Sequence, residues 1–191
     1  MSKLLLFTAP SGAGKTTIVR HLLAKYDEIS FSVSATTRSK RAHETEGKDY
    51  YFMSKHDFLG KVKAGDFLEW QEVYEAQYYG TLRSEIERLW KKGKHIIFDM
   101  EVKGATKIKN AYPNDTLAVF VKPPSPEILF KRLRERKTET EASLKKRIKR
   151  ATEELTYEDK FDVVLLNDIL EDTFKNAEQL IEDYLQLKLP K

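Results

Sequence analysis

Residues 3–17, "KLLLFTAPSGAGKTT", carry the strongest local signal in the sequence. The apolar run from Leu4 to Phe7 predicts a buried strand of a parallel sheet. Gly12 and Gly14 follow in a turn, and apolar residues at helical spacing come directly after that turn. A strand, a glycine-rich loop and a helix in this order form the context of a phosphate-binding loop. The stretch therefore predicts a nucleotide site.

The chemistry of this loop suits phosphate groups. Glycines let backbone N–H groups turn inward, the helix N-terminus adds the positive end of its dipole, and Lys15 adds a full charge. Thr16 is predicted to place its hydroxyl on a magnesium ion that bridges the terminal phosphates. Ala9 replaces the first glycine of the consensus G-x-x-x-x-G-K-[ST], which is tolerable if its φ is negative. The predicted phosphate-binding residues are Ser11, Gly12, Ala13, Gly14, Lys15, Thr16 and Thr17.

Length and composition limit the class of protein. The 191 residues suit one compact domain with small insertions. No stretch approaches the roughly 18 apolar residues of a membrane helix, so we expect no membrane partner. The absence of cysteine excludes disulfides and thiolate chemistry and fits a cytoplasmic location. The four histidines are scattered, without metal-ligand spacing.

The net charge of +4 comes from a local excess of basic residues. Residues 131–150 hold ten Lys and Arg against three Glu. Such a cluster suits a polyphosphate as well as a polynucleotide. We expect no nucleic-acid partner, because no aromatic stacking residue beyond Phe130 is interleaved with the cluster.

Alternating strands and helices predict a parallel sheet with right-handed crossovers. Residues 77–81, "QYYGT", are predicted as a turn. The strands are predicted at residues 4–7, 29–38 (a strand that runs into a loop), 48–53, 66–74, 95–100, 116–121 and 162–167. The helices are predicted at residues 14–26, 54–64 (with Ser54 as N-cap), 82–92, 102–110, 125–136, 138–160 (from a Thr138–Glu141 capping box) and 170–184. The predicted fold is an α/β P-loop NTPase core, with a parallel sheet flanked by helices and two insertions.

A second cluster of polar residues lies in the predicted insertion. Arg38 and Arg41, with tyrosine and threonine hydroxyls, are suited to a dianionic monophosphate, because guanidinium pairs bidentately with its oxygens. Glu69 is able to accept both N1–H and the exocyclic amine of guanine, whereas adenine would leave the carboxylate unpaired. Ser34 is placed to donate to guanine O6. Taken singly, these residues are better explained as solvated loop charges and sheet packing, and only their combination favours a ligand site.

The combination resembles the guanylate kinase family from end to end. The matching motifs are "APSGAGKTT" (9–17), "FSVSATTR" (31–38), "GKDYYF" (47–52), "LEW" (68–70), "YYGT" (78–81) and "KRLRERKTETEASLKKRI" (131–148). The resemblance implies a P-loop core (1–31, 82–125 and 151–191), a small GMP-binding insertion (32–81) and a helical, arginine-rich lid (126–150). It implies an enzyme that transfers the γ-phosphate of Mg-ATP to GMP, and to dGMP, as a monomer or homo-oligomer.

The resemblance also implies roles for individual residues. Ser34 and Glu69 correspond to the guanine-binding positions, and Asn167 to a position near the adenine of ATP. Asn167 is equally explained as an ordinary helix N-cap, because it follows a predicted strand. The implied GMP phosphate clamp is Arg38, Arg41, Tyr50 and Tyr79, with Thr81 beside them. The implied catalytic residues are Lys15, Arg132, Arg136 and Arg147, of which the three arginines belong to the lid.

Two segments depart from the family pattern. Where the family commonly has Asp-x-Gln-Gly after a strand, this chain has "DMEVKG". Asp99 still ends the strand, where its carboxylate is expected to hold magnesium directly or through water. Glu101 stands where an aspartate helps to bind guanine, and the extra methylene is expected to shift that contact. Lys103 replaces a glutamine, and Lys137 replaces a glycine of the lid.

Two other functions fit parts of the same pattern. A guanylate-kinase-like domain without catalysis would bind phosphorylated peptides in the GMP pocket, but Gly14, Lys15 and Thr16 keep the phosphate loop intact. A related kinase would phosphorylate a sugar phosphate, but Ser34 and Glu69 suit a guanine edge.

Overall fold

The computed structural model describes residues 2–135 and 141–187. Its strands are β1 Leu4–Thr8, β2 Ile29–Phe31, β3 Ala35–Thr36, β4 Tyr51–Phe52, β5 Phe67–Tyr74, β6 Gln77–Leu82, β7 His95–Met100, β8 Thr116–Lys122 and β9 Val163–Leu166. Its helices are α1 Lys15–Lys25, α2 Lys55–Ala64, α3 Arg83–Lys91, α4 Val102–Ala111, α5 Pro126–Arg134, α6 Glu141–Leu155 and α7 Leu170–Leu185. None of the helices in these two ranges is both long and apolar enough to cross a bilayer.

The main sheet has five parallel strands in the order β2-β7-β1-β8-β9. The central strand, β1, is fully buried, as expected for a parallel strand covered on both faces. Because side chains alternate along a strand, Leu5 and Phe7 belong to the core cluster that contains residues of α1, α5 and α7, and Leu4 and Leu6 to the cluster that contains residues of α3 and α4. This arrangement confirms the predicted parallel α/β core.

A second sheet of four strands, in the order β4-β3-β6-β5, lies within residues 35–82. Its small core joins Ala35, Phe58 of α2 and Phe67 of β5. The α2 helix begins as predicted, because the Ser54 hydroxyl accepts a hydrogen bond from the Asp57 N–H at 3.0 Å. It ends at Gly65, whose φ of 75° is the left-handed conformation that glycine adopts readily.

The prediction of a turn at residues 77–81 is wrong, because these residues form most of β6. β6 pairs antiparallel with β5, with Glu69 opposite Thr81. The hairpin connection precedes β6, where Ala76 has a φ of 58°. Gly80 marks a close approach of two strands rather than a turn, since a Cβ there would lie 2.8 Å from the Glu69 carbonyl oxygen.

The predicted helix over 138–160 is too long at its C-terminal end. α6 ends at Leu155, because the N–H groups of Thr156 and Tyr157 bond to carbonyls three residues earlier, and a single 3₁₀ turn follows at Glu158–Lys160. The predicted end of α5 near Arg136 and the capping residue Thr138 lie outside the described residues.

Candidate active site

The loop between β1 and α1 depends on two glycines in the left-handed region. Gly12 has a φ of 95° and Gly14 a φ of 93°. A Cβ at Gly14 would lie 2.3 Å from Asn167 Nδ2, and one at Gly12 would lie 2.9 Å from Leu133 Cδ2. Ala9 does not have a positive φ, so alanine is tolerated at the first glycine position of the consensus. The loop thus keeps its shape only with glycine at two positions.

At the start of α1, Lys15, Thr16 and Asp99 form one cluster. Lys15 Nζ lies 2.8 Å from Asp99 Oδ1 and donates to the Met100 carbonyl at 2.7 Å. The Thr16 hydroxyl donates to Asp99 Oδ2 at 2.5 Å. Burial raises the pKa of Asp99, but the charge of Lys15 and the hydrogen bonds from Lys15 and Thr16 outweigh it, so the pKa lies below its usual value. Asp99 is therefore a carboxylate at neutral pH.

Thr16 and Asp99 offer a hydroxyl and a carboxylate oxygen to a cation. Across residues 2–135 and 141–187, no group of three His, Cys, Asp or Glu side chains is arranged to enclose a metal ion. A pair of hard oxygen donors fits Mg²⁺, which keeps several waters and is completed by substrate phosphates.

A cleft of about 230 Å³ opens above the phosphate loop. The N-cap residue of α1 is Gly14, which has no side chain that could compete with a ligand for the amides of the first turn. The cleft is lined by all the predicted phosphate-binding residues and by Ala9, Pro10, Asp99, Glu101, Arg147, Arg150 and Glu154.

A second cleft of about 310 Å³ lies between the main sheet and the small sheet. Three of its lining residues, Lys15, Asp99 and Glu101, also line the first cleft. The predicted GMP-binding residues that line it are Ser34, Arg38, Arg41, Tyr50, Glu69, Tyr79 and Glu101. The structure thus brings these seven together although they span 68 positions of the chain, from 34 to 101.

Arg38 is fixed in this cleft by a carboxylate that the sequence analysis missed. Both of its terminal nitrogens donate to Glu44, one of them at 2.7 Å, and the Arg41 N–H donates to the same carboxylate at 2.8 Å. The hydrogen bonds from Arg38 lower the pKa of Glu44 to about 2. The Arg38 guanidinium also lies over the Tyr50 ring, 4.9 Å from its centroid. Arg38 therefore presents a positive charge in a fixed position on one face of the cleft.

Tyr50 and Tyr79 stand edge to face in the same cleft, with ring centroids 5.9 Å apart. Burial raises the pKa of Tyr50, so its hydroxyl keeps its proton at neutral pH and is available as a donor to an anion.

Glu69 is a buried carboxylate at the other end of the cleft. It is 6% exposed, and its Oε1 accepts a hydrogen bond from the Thr81 hydroxyl at 2.9 Å. Thr81 itself does not line the cleft but supports Glu69 from behind. Burial raises the pKa of Glu69, although Thr81 and the charge of Lys107 oppose the rise. Gly104 lets α4 approach, because a Cβ there would lie 2.9 Å from Glu69 Oε2.

The predicted lid arginines have different positions. Arg147 lines the first cleft and its Nη1 lies 3.4 Å from the Ser11 hydroxyl. Arg132 donates to the backbone carbonyl of Asn167 at 3.2 Å and does not line either cleft. Arg136 and Lys137 lie outside the described residues.

The Asn167 side chain is buried beneath the phosphate loop. Its Nδ2 donates to the Ala13 carbonyl at 2.6 Å, and its Oδ1 accepts from the Thr173 hydroxyl at 3.2 Å. Asn167 is not the N-cap of α7, because that position is Ile169. Its observed contact supports the loop backbone.

Two residues of α6 that the sequence analysis missed also reach the site. Glu154 is 6% exposed and its Oε2 accepts a hydrogen bond from the Ser11 N–H at 3.1 Å. Arg150 contacts Glu154 at 3.1 Å and also contacts Glu101. The sequence held one signal, since Glu154 and Arg150 are four residues apart on a predicted helix.

Comparison with known proteins identifies the family. The guanylate kinase family profile matches residues 1–184. The chain is 42% identical to the guanylate kinase of Chlorobium luteolum over 188 residues, which cover 98% of this chain and 95% of that protein. It is 42% identical to the guanylate kinase of Thermotoga maritima over 179 residues, which cover 94% and 86% respectively.

A solved structure agrees with these matches. The crystal structure of guanylate kinase from Anaplasma phagocytophilum superimposes with a TM-score of 0.74 at 28% identity, covering 98% of this chain and 87% of that chain. Fold, site geometry and sequence agree: the chain belongs to the guanylate kinase family.

Proposed function

We propose that this protein transfers the γ-phosphate of Mg-ATP to the phosphate of GMP, and of dGMP, giving ADP and GDP or dGDP. The observation that carries the proposal is that Lys15 and Asp99 line both clefts. A donor in the first cleft and an acceptor in the second would therefore present their phosphates to the same two side chains. Phosphoryl transfer needs this positioning more than it needs a covalent intermediate.

The first cleft is assigned to the ATP phosphates. Lys15 Nζ and the backbone amides of Gly12, Gly14, Lys15 and Thr16 are assigned to the β- and γ-phosphates, because the amides of Ser11, Ala13 and Thr17 already donate within the protein. Asn167 supports the loop from below. Mg²⁺ is assigned to Thr16 and Asp99, and when bound it supplies positive charge that neutralises the phosphate oxygens.

The second cleft is assigned to GMP. Arg38, Arg41, Tyr50 and Tyr79 are the donors suited to its phosphate, and Arg38 is held ready by Glu44. Glu69 is suited to N1–H and the 2-amino group of guanine, with Ser34 at O6. Adenine would bring an acceptor to a buried carboxylate, which costs about 1–3 kcal/mol or more for one unpaired polar group.

The chemical step follows from this arrangement. An oxygen of the GMP phosphate, already largely ionised near pH 7, attacks the γ-phosphorus as the bond to the β-phosphate oxygen of ATP breaks. Arg132, Arg136 and Arg147 are assigned to stabilise the transferring group, and Arg147 already contacts the loop at Ser11. Closure of the lid (126–150) and of the insertion (32–81) over the core would exclude water and prevent hydrolysis of ATP.

The remaining assignments rest on composition. The mixed charges of the chain, 34 basic and 30 acidic residues, support small-molecule partners without nucleic acid or membrane. The absence of cysteine supports a cytoplasmic location, and the proposal covers a monomer or a homo-oligomer.

A coupled assay of ADP release tests this proposal. The protein is mixed with Mg-ATP and with each of GMP, dGMP, AMP, CMP and UMP, and a parallel set contains excess EDTA. We expect release with GMP and dGMP only, and none with EDTA. If none of the five nucleotides causes release of ADP, the kinase assignment is overturned in favour of phosphopeptide or sugar-phosphate binding. If AMP causes as much release as GMP, the role of Glu69 is overturned.

A further inference from the structure

We infer that Arg150 is a positioning residue for guanine recognition, which acts by holding the Glu101 carboxylate so that it accepts the 2-amino group of GMP. The inference rests on the proposed function, since it concerns the GMP cleft. Arg150 lies on α6, whereas the other proposed guanine-binding residues lie at or beside the small sheet and at the start of α4. The structure brings these distant segments together at Glu101.

Glu101 occupies the point where the two clefts join. It is the N-cap residue of α4, makes no side-chain capping bond, and lines both clefts. Its Oε2 accepts hydrogen bonds from Arg150 Nη2 and from Gln71 Nε2, the latter at 3.3 Å. Within the described ranges, Oε1 receives neither of these bonds. No side chain in the described part of the chain donates to Oε1, so one oxygen is fixed by the protein and the other is open to a ligand.

Arg150 is itself held on its other side. Its Nε donates to Glu154 Oε1 at 3.1 Å, one helical turn further along α6. Glu154 Oε2 accepts the Ser11 N–H at 3.1 Å. Gln71, Glu101, Arg150 and Glu154 therefore form a hydrogen-bonded chain that ends on the phosphate loop. The planar guanidinium is suited to this place, because its fork of donors can bond two carboxylates at fixed angles.

The need for such a partner follows from the length of glutamate. A glutamate side chain has more rotamer freedom than the shorter aspartate, and ordering it on ligand binding opposes affinity. A carboxylate held in place before GMP arrives does not lose that freedom on binding, so pre-organisation by Arg150 favours the complex. Arg150 thus keeps Glu101 ordered despite its extra methylene.

The inference predicts a difference between two substrates. IMP keeps N1–H and O6 of the purine but lacks the 2-amino group of GMP. A defect in the position of Glu101 should weaken GMP and leave IMP nearly unchanged. A general defect of the α6 helix or of the phosphate loop would weaken both nucleotides alike.

The test compares Arg150→Gln with the control Lys149→Gln, which removes a charge from an exposed neighbour on the same helix. Steady-state kinetics with GMP and with IMP are measured at saturating Mg-ATP. We expect Arg150→Gln to raise the KM for GMP by about tenfold, the range for weakening one hydrogen bond to a charged group, with a smaller change in kcat. The KM for IMP should change by less than about twofold in both variants, and so should the KM for GMP in Lys149→Gln.

Two further variants separate positioning from folding. Arg150→Lys, which keeps the charge but not the fork, should recover part of the GMP affinity. In Glu101→Ala, added Arg150→Gln should have no further effect on the KM for GMP, because the two residues act as one unit.

Three results would overturn the inference. They are equal effects on GMP and IMP, a lower KM for GMP in Arg150→Gln, and additive effects of the two substitutions. Each presupposes a wild-type protein that phosphorylates GMP. A wild-type protein without that activity would instead contradict the proposed function.

Discussion

The phosphate loop depends on backbone geometry, whereas the guanine end of the GMP cleft depends on side chains. The loop is nine consecutive residues, 9–17, and its shape depends on backbone geometry at Gly12 and Gly14. The guanine end draws side chains from the segment before β3, from β5 and from the start of α4, around the buried carboxylate of Glu69. A backbone site should be sensitive to added atoms, and a side-chain site to changed functional groups. Substitutions in each region separate these two sensitivities.

Removing the charge at the junction of the clefts should have the largest effect. Lys15→Met takes away the cation that both clefts share and leaves Asp99 without its ion-pair partner. We expect kcat to fall about 100- to 1000-fold, as when one pre-organised donor to the transferring group is lost. Lys25→Met, at the far end of α1, is the control and should change kcat by less than about twofold. Similar losses in both variants would show that α1, rather than the charge of Lys15, sets the rate.

Changing one functional group in the guanine site should lower kcat/KM for GMP by about 100-fold, through loss of a charged acceptor. The substitution is Glu69→Gln, whose amide can still accept the Thr81 hydrogen bond. The ligand-free protein should not lose stability. Because burial raises the pKa of Glu69, the folded state at pH 7 bears the penalty of a buried charge, and glutamine removes it. A thermal melt gives the second readout, and a fall in Tm with the loss of activity would contradict this account.

Adding one carbon to the backbone site should affect binding and stability together. Gly14→Ala places a Cβ at a φ of 93° and 2.3 Å from Asn167 Nδ2. The strain of the left-handed conformation alone costs about 1–2 kcal/mol, so we expect a lower Tm and a higher KM for ATP. Gly60→Ala is the matched control, since a Cβ there meets nothing within 4 Å inside α2. That change should instead stabilise the protein by about 0.5–1 kcal/mol, and a loss of stability at both positions would remove the distinction.

The smallest effect that we expect is a shift in the pH dependence of the KM for GMP. Glu69 must be ionised to accept the guanine donors, so the KM for GMP should rise as pH falls through its raised pKa. Thr81→Val removes the hydroxyl that favours the ionised form, which raises the pKa of Glu69 further. The acidic limb of the profile should therefore move to higher pH in the variant. The GMP phosphate titrates near pH 6 in both proteins and cancels in the comparison. Superimposable profiles would show that Glu69 does not control the limb.

The same contrast explains what the sequence could predict. The phosphate loop was predictable residue by residue, because strand, glycines and helix are contiguous and each has a local physical signature. Asp99 contacts both Lys15 and Thr16, and the roles of the three residues toward phosphate and metal stay predictions. The strand β6 was not recognised, because Gly80 is typical of a turn and its true cause, the approach of β5, is a tertiary contact.

The supporting residues of the site were beyond prediction for a similar reason. Glu154 bonds to Ser11 across 143 positions of sequence, and no local pattern links the two. Glu44 lies only six residues from Arg38, but a charged pair in a polar loop is indistinguishable from solvated surface until the loop is folded. Side-chain sites assembled from separate segments need the fold before their partners can be named.

The phosphate held by the loop is expected to pass to the ligand of the second cleft and not to water. Phosphorus NMR of one mixture of the protein, Mg-ATP and equal amounts of GMP and AMP tests it directly. We predict that GDP and ADP appear in equal amounts while inorganic phosphate stays absent and AMP is unchanged. Release of inorganic phosphate, or consumption of AMP alongside GMP, would contradict the account.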